Sequence, residues 1–429
     1  MIGLRGAENM VLTPSMRDRA EGYVTELPYT LGYYPELDPR RVRETLARAG
    51  VEIAPIRRAC ELGFGRGLSL AIHAVAGDAE WWGNDVLPRH VEEVQTLARG
   101  LTNRIHVSAE TFAEFCARDD LPIFDFIAMH GVWSWISQGN REVIHEFIDR
   151  QLAVGGVLYV SYNVRKVWAS VMPLREFLVA AASRPELNAK SLPDRIEAAL
   201  VAAQRIVACD LPPARDDPAF EKHLRKIRHQ SKAYLAHEYF NRDWVLFDET
   251  DMAATFEPLG LKYGAQAKSG NKESGFRRDL WVREQAPRVP RAPVAEGSAE
   301  NHVIVERAKI DEFNARLLQR ALDEPYLSTL ASPATGGGVE LSWRTLLALG
   351  AHRAGACDAT SIAASVAATL ARLGHPLVHE GAVIKDSQEA AAILHREAEG
   401  VIREIVRCRC CWLIHQRHNH DRSRNKGEP

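Results

Sequence analysis

No apolar run in this 429-residue chain approaches the roughly 18 residues that a membrane-spanning helix needs, and its opening residues lack a signal-peptide core. Cysteine is scarce and unpatterned: Cys60, Cys116, Cys209, Cys357, Cys408, Cys410 and Cys411 form an odd set with no repeating frame. That spacing argues against a secreted disulfide scaffold and predicts a reduced, cytoplasmic protein. A dominant charge is missing too, since the formal net charge is -2, which offers no global attraction to nucleic acid or an anionic membrane. Apolar residues make up 46% and charged residues 26%, as in ordinary globular proteins that bury sizeable cores. The length exceeds that of a usual single domain and predicts two or three folded units.

From about residue 40 to 165 the chain alternates helical and strand-like patterns. "PRRVRETLARAG" reads as a helix, with Val42, Leu46 and Ala49 one turn apart and Gly50 as its stop. "RRACELGFGRG" is a short strand running into glycines, "LSLAIHAVAG" a helix, "EWWGNDV" a second strand, and "PRHVEEVQTLARG" a helix. "RIHVSAE" and "FDFIAMHG" are the third and fourth strands, "NREVIHEFIDRQLAVGG" a helix stopped by glycine, and "VLYVSYN" the fifth strand. Strands separated by helices of this length imply right-handed crossovers and a parallel sheet covered on both faces.

Such sheets bind ligands outside the carboxyl ends of their strands. Glu61, Gly63, Gly65 and Gly67 fall at one end, Asp85 and Val86 at the next, then Glu110 and Thr111, then His130. The glycines alone are equally compatible with a plain strand-to-helix turn. Their spacing is not the G-x-G-x-x-G of a dinucleotide site, whose open helix N-terminus takes a diphosphate. An acidic Glu61 ahead of the loop suits a cationic amino-acid group better, and Asp85, some twenty residues on, suits ribose hydroxyls. Together they favour S-adenosylmethionine over NAD.

"ELGFGRG", "GND", "FDFIAMHGVWSWIS" and "SYNV", in this order, resemble the class I methyltransferases that carry a methyltransferase regulatory domain, a group with protein-lysine methyltransferases of bacterial outer-membrane proteins. "YLAHEYFNRDW" resembles the opening of that regulatory domain and "FRRDLWV" its closing strand. After S-Y-N the family usually continues toward Pro-Gly-Trp, whereas here "VRKVW" keeps only Trp168. The resemblance implies a Rossmann-like, seven-stranded α/β sheet ending in "GLKYGAQA" and "FRRDLWVRE", the last strand inserted antiparallel. It also implies a core over 46–170 and 258–284, interrupted by a helical insertion over 171–257 that roofs the active site. In that insertion Phe220, Leu224, Ile227, Ser231, Tyr234 and Leu235 line one helical face, against Lys222, Arg225, Lys226, Arg228 and Lys232. That basic face reads as a solvated helix or as a seat for an acidic partner.

Methyl transfer needs an aligned nucleophile and exclusion of water, and a lysine acceptor must first lose its proton. His130 and Tyr162 are the expected catalytic residues, with His130 also touching the cofactor, while Trp133, Trp135 and Asn163 would wall the acceptor channel. Core packing for the tryptophans and a structural role for His130 stand beside those readings. Tyr23, Tyr29, Tyr33 and Tyr34 mark 1–45 as a cover over the cofactor or a simple packing segment, with Met10 or Met16 equally able to start the chain.

"QAPRVPRAPVAEGSAE", 285–300, reads as an extended linker to a small, mainly helical, winged-helix-like domain over 301–407. No basic recognition helix stands out there, which favours protein contact or a homodimer over DNA. The tail 408–429 holds Cys408, Cys410, Cys411, His415, His418 and His420, but its spacing fits no zinc frame and it reads as a disordered basic tail without metal. Three functions stay open: a protein methyltransferase with lysine favoured, a small-molecule methyltransferase, and a cofactor-binding regulatory relative.

Overall fold

The computed structural model describes residues 22–27, 32–101, 104–267 and 275–284, and farther on 313, 316, 360, 363–364, 378–379, 382–383, 388–396 and 399. The expected linker and the Cys/His tail, Tyr29, residues 1–16 and most of the winged-helix-like domain lie outside the described residues. The chain divides into two compact units, one of residues 1–70, 79–95 and 103–301, the other of 71–78, 96–102 and 302–429. In the second, strands β8 (Val378–His379) and β9 (Ala382–Val383) pair antiparallel, and Arg316 donates to the carbonyls of Leu97 and Arg99. Among the described residues no helix is long and apolar enough to cross a membrane.

The first unit is built on a seven-stranded sheet of order β3-β2-β1-β4-β5-β7-β6. Its strands are β1 (Arg58–Leu62), β2 (Glu80–Asp85), β3 (Ile105–Ala109), β4 (Phe124–Met129), β5 (Leu152–Asn163), β6 (Leu261–Gln266) and β7 (Phe276–Arg283). The first five pair in parallel, and β7 runs antiparallel to β5 and β6, as expected of the last strand. Chain order reverses between β1 and β4, so the carboxyl ends of those strands open the crevice where a ligand fits. Ala59, Cys60, Phe126, Ile127, Ala128 and Met129 are fully buried, the near-continuous apolar run of a sheet covered on both sides.

In chain order the helices up to β5 are α1 (Pro39–Arg48), α2 (Leu68–Ala76), α3 (Pro88–Leu97), α4 (Phe112–Cys116) and α5 (Gln138–Gln151), with residues 71–76 of α2 and 96–97 of α3 counted in the second unit. Asp38 caps α1 by accepting from the Arg40 amide, and Val42 and Leu46 are buried, whereas Ala49 lies past the last turn and is exposed. Helix α5 departs from its expected length: it ends at Gln151, and "LAVGG" belongs to β5. Leu152 pairs with Phe124 but Val157 with Phe126, so the residues between bulge out around Gly155 at φ +76. A residue remote in sequence holds this helix end. Fully buried Arg283 of β7 donates to the carbonyls of Ile148, Asp149 and Leu152 and pairs with Asp149 Oδ1 at 2.7 Å, satisfying helix-end acceptors that would otherwise be orphaned.

Between β5 and β6 lie helices α6 (Arg165–Trp168), α7 (Met172–Ala182), α8 (Leu192–Ala208), α9 (Pro218–Ile227), α10 (Lys232–Tyr239) and α11 (Glu249–Phe256). The single amphipathic face expected over 220–235 is split, because Ser231 accepts from the Tyr234 amide and starts a new helix. Phe220, Leu224 and Ile227 on α9 and Leu235 on α10 enter a core with Leu174, Leu178, Ile196 and Leu200, while Ser231 is exposed. The chain returns to the sheet at Val245 and Phe247, whose amides donate to the carbonyls of Ser134 and Asn163, which brings the insertion to the carboxyl edge.

Candidate active site

The glycine loop is laced to the neighbouring strand ends. The amides of Gly63 and Phe64 donate to Asn84 O at 2.9 and 3.2 Å, that of Gly65 to Asp85 Oδ2 at 2.9 Å, and Asn84 Nδ2 to Glu110 O at 2.9 Å. The turn demands glycine at two places for the same two reasons. At Gly63 (φ +67) a Cβ would stand 2.8 Å from Val132 Cγ2, and at Gly67 (φ +66) only 2.0 Å from Val94 Cγ2, so backbone angle and space both forbid a side chain.

Behind this loop Glu61 is 2% exposed, and its Oε2 has no hydrogen-bond partner among the described residues. Burial, and then the charge of Asp85, push its carboxyl up to about 8. A buried carboxyl oxygen without a donor is costly, and among the described residues none supplies a donor or cation to Glu61 Oε2. Asp85 is more occupied: Oδ1 accepts from the Leu87 amide and faces His90 Nδ1 at 2.9 Å, and Oδ2 takes the Gly65 amide. Each carboxylate oxygen has two lone pairs, so Oδ2 keeps acceptor capacity.

At the end of β4, His130 Nδ1 lies 2.8 Å from the Tyr159 hydroxyl, and its ring stacks on Tyr34 at a centroid distance of 3.7 Å and meets Phe276 edge-on at 5.5 Å. The Gly131 amide donates to Ser161 Oγ at 2.7 Å. Arg278 lies over Phe276, its Nε 2.8 Å from buried Glu36 Oε1. Burial raises the phenols of Tyr34 and Tyr159, so both stay neutral hydrogen-bonding groups.

The N-terminal segment is strapped over this edge. The Tyr34 amide donates to Ser69 Oγ at 2.8 Å and the Val24 amide to Asn241 Oδ1 at 2.8 Å, while Arg89 donates to the carbonyls of Thr25 and Leu27. Glu61, Gly63, Gly65, Gly67, Asp85, Glu110 and His130 thus line consecutive strand ends, with half-buried Val86 next to Asp85. Thr111 spends its hydroxyl and amide on a capping box with Glu114 at the start of α4, and Glu110 Oε2 accepts from Ser108 and Arg118.

Other expected residues fall elsewhere. Tyr162 is fully buried on the sheet face opposite Tyr159 and donates to Asp279 Oδ2 at 2.9 Å, so it does not join His130. Trp133 packs into the sheet core against Phe247 and Phe256, and Trp135 stacks on Trp244 at 5.0 Å in the core of the insertion. Both therefore pack rather than wall a channel. Asn163 shares the Tyr159 face; its amide donates to Ser134 Oγ, and its buried Nδ2 has no partner among the described residues. Sequence reasoning passed over Asn84, Tyr159 and Phe276; of these, only Tyr159 carried a local signal, its alternation with Ser161 and Asn163 along β5.

No family model matches the chain. An uncharacterized protein of Synechocystis sp. is 33% identical over 252 residues, 58% of this chain and 49% of that protein. One from Rickettsia prowazekii is 28% identical over 164 residues, 37% of this chain and 29% of that protein. The chain spans half or less of the length of these curated relatives. Among solved structures, PKMT2 from Rickettsia typhi in complex with AdoHcy matches with a TM-score of 0.57 at 13% identity, over 88% of this chain and 98% of that one. With this strand order, an antiparallel seventh strand and a glycine loop after β1, the chain has the Rossmann-like fold of the class I methyltransferases.

Proposed function

We propose that the chain is an S-adenosylmethionine-dependent methyltransferase whose acceptor is an amine, with a protein lysine side chain favoured. The observation that carries this reading is Glu61, a buried carboxyl with an unpartnered oxygen directly behind the glycine loop. A diphosphate would be repelled there, whereas an α-ammonium group supplies the missing donor and charge. When bound, the cofactor supplies an already activated methyl group on a sulfonium.

The chain's own residues then have separable tasks. Glu61 holds the ammonium group, the backbone of 63–67 shapes the floor, and Asp85 accepts from ribose hydroxyls. Tyr34, His130 and Phe276 present ring faces that favour a cation and exclude water. Residues 22–27 and 32–34 form the cover, and the helical insertion forms the substrate-selecting lid. The protein-lysine assignment is supported by the resemblance of "HGVWSW", "SYN" and "YLAHEYFNRDW".

The test is titration calorimetry with S-adenosylmethionine, S-adenosylhomocysteine and NAD. Micromolar binding of the first two alone is the expected result, and absence of both would overturn the proposal. Mass spectrometry of lysine-rich proteins incubated with the loaded enzyme then tests the acceptor, a methyl gain on lysine being expected.

A further inference from the structure

Trp168 is what "VRKVW" keeps of the Pro-Gly-Trp expected after S-Y-N, and it stands at a junction. As the last residue of α6 it lies where the chain leaves β5 for the helical insertion, and its half-buried indole reaches back to the sheet. There Nε1 donates to the Gly275 carbonyl at 2.7 Å, beside the Val164 amide, which donates to the same oxygen at 2.9 Å. The fit is close. A Cβ on Gly275 would stand 2.4 Å from Trp168 Nε1 and 3.0 Å from Cε2, so only a glycine lets the indole reach this stretch of backbone.

Gly275 leads directly into β7, whose first residue is Phe276. That end of the strand has little else to hold it. Phe276 pairs with Asn163 of β5, but β6 reaches only to Gln266 opposite Asp279 and to Ala267, whose amide donates to Arg278 O. Among the described residues Phe276 therefore has a ladder neighbour on one side alone. Its ring belongs to the site all the same: the His130 ring meets it at 5.5 Å, and Arg278, beside Glu36, lies over it at 4.7 Å. On its other flank the Trp168 indole meets Trp244 at 5.5 Å, and Trp244 stacks on Trp135 at 5.0 Å. Trp135 follows His130 in the segment "HGVWSW", so the contacts close a circuit from His130 through Trp135, Trp244, Trp168 and Gly275 to Phe276, and back to His130. Packed rings of this kind resist small displacements, because the interior leaves no slack to absorb them.

We infer that Trp168 is a positioning residue for the sulfonium of S-adenosylmethionine: by fixing Gly275 it holds Phe276 against His130, and it ties that aromatic wall to the packed core of the insertion. This inference rests on the methyltransferase reading above, in which Tyr34, His130 and Phe276 face the cation. Trp168 acts through that wall rather than on the ligand itself. Its signature is charge-dependent, since a misplaced ring loses its attraction for a sulfonium, whereas the thioether of S-adenosylhomocysteine carries no charge to lose.

The test is titration calorimetry of the full chain with S-adenosylmethionine and S-adenosylhomocysteine, read as the ratio of the two affinities. Trp168→Phe keeps a ring on Trp244 and removes the N–H; it should shift the ratio against S-adenosylmethionine by about threefold to tenfold, the share of one cation–ring contact in a dry site. Gly275→Ala drives a methyl group into the indole and should shift the ratio alike, so the test survives if one of the two variants fails to fold. Phe276→Leu should give a similar shift, and Trp168→Phe combined with Phe276→Leu no larger one, because the first acts through the second. An unchanged ratio in Trp168→Phe or Gly275→Ala, equal weakening of both ligands, or shifts that multiply in the double variant would overturn the inference. Wild type that binds neither ligand would sink the methyltransferase reading and this inference with it.

Discussion

Replacing Glu61 by Gln keeps its shape and removes its charge, and the structure predicts opposite effects on stability and on binding. In the folded chain the carboxyl is held at about 8, against about 4.5 when freely exposed. The folded state therefore binds the proton more tightly than the unfolded state. The sign follows: this group favours folding fully below pH 4.5, and the contribution is lost as pH rises toward 8. Over the whole range the loss is on the order of 5 kcal/mol, and between pH 5.5 and 7.5 it is about 2 kcal/mol. Glu61→Gln has no such slope, so denaturant unfolding at the two pH values should show wild type losing about 2 kcal/mol relative to the variant. In calorimetry the same substitution should cost about 10- to 100-fold in S-adenosylmethionine affinity, as one charged hydrogen bond is lost. Wild-type affinity should also rise close to tenfold per pH unit from 6 to 7.5, because binding must first expel one proton. Parallel stability profiles for the two proteins, together with equal affinities, would refute the reasoning.

Three other outcomes follow from particular contacts. Asp85→Ala frees the amides of Gly65 and Leu87 and should loosen the glycine loop, weakening S-adenosylhomocysteine by about tenfold or more in calorimetry. Tyr162→Phe removes one donor from the Asp279 carboxylate, which keeps Arg277, and should cost about 1 kcal/mol in chemical denaturation while leaving S-adenosylhomocysteine affinity within about twofold; a large affinity loss would return Tyr162 to the site. Arg283→Met leaves Asp149 without its ion pair and the end of α5 without its donor, so thermal unfolding should show a loss of about 3 to 5 kcal/mol.

Local pattern was enough to read the alternation of helices and strands, the turn after β1, and the placement of Glu61, Asp85, Glu110 and His130 at successive strand ends. Those features depend on periodicities of two and 3.6 residues and on glycine's tolerance of positive φ, all of which operate over a few neighbouring residues. The departures involve partners that are distant along the chain. Arg283 holds the last carbonyls of α5 and that of Leu152 from more than a hundred residues away, a partner that the local pattern of "LAVGG" does not contain. Trp135 reads as a channel aromatic until the insertion supplies Trp244, and Tyr162 reads as catalytic until the parity of β5 turns it toward Asp279. Tyr34 reads as one more packing aromatic until residues 32–34 reach the sheet edge, where its amide meets Ser69 and its ring stacks on His130, because packing acts through space and not along the chain.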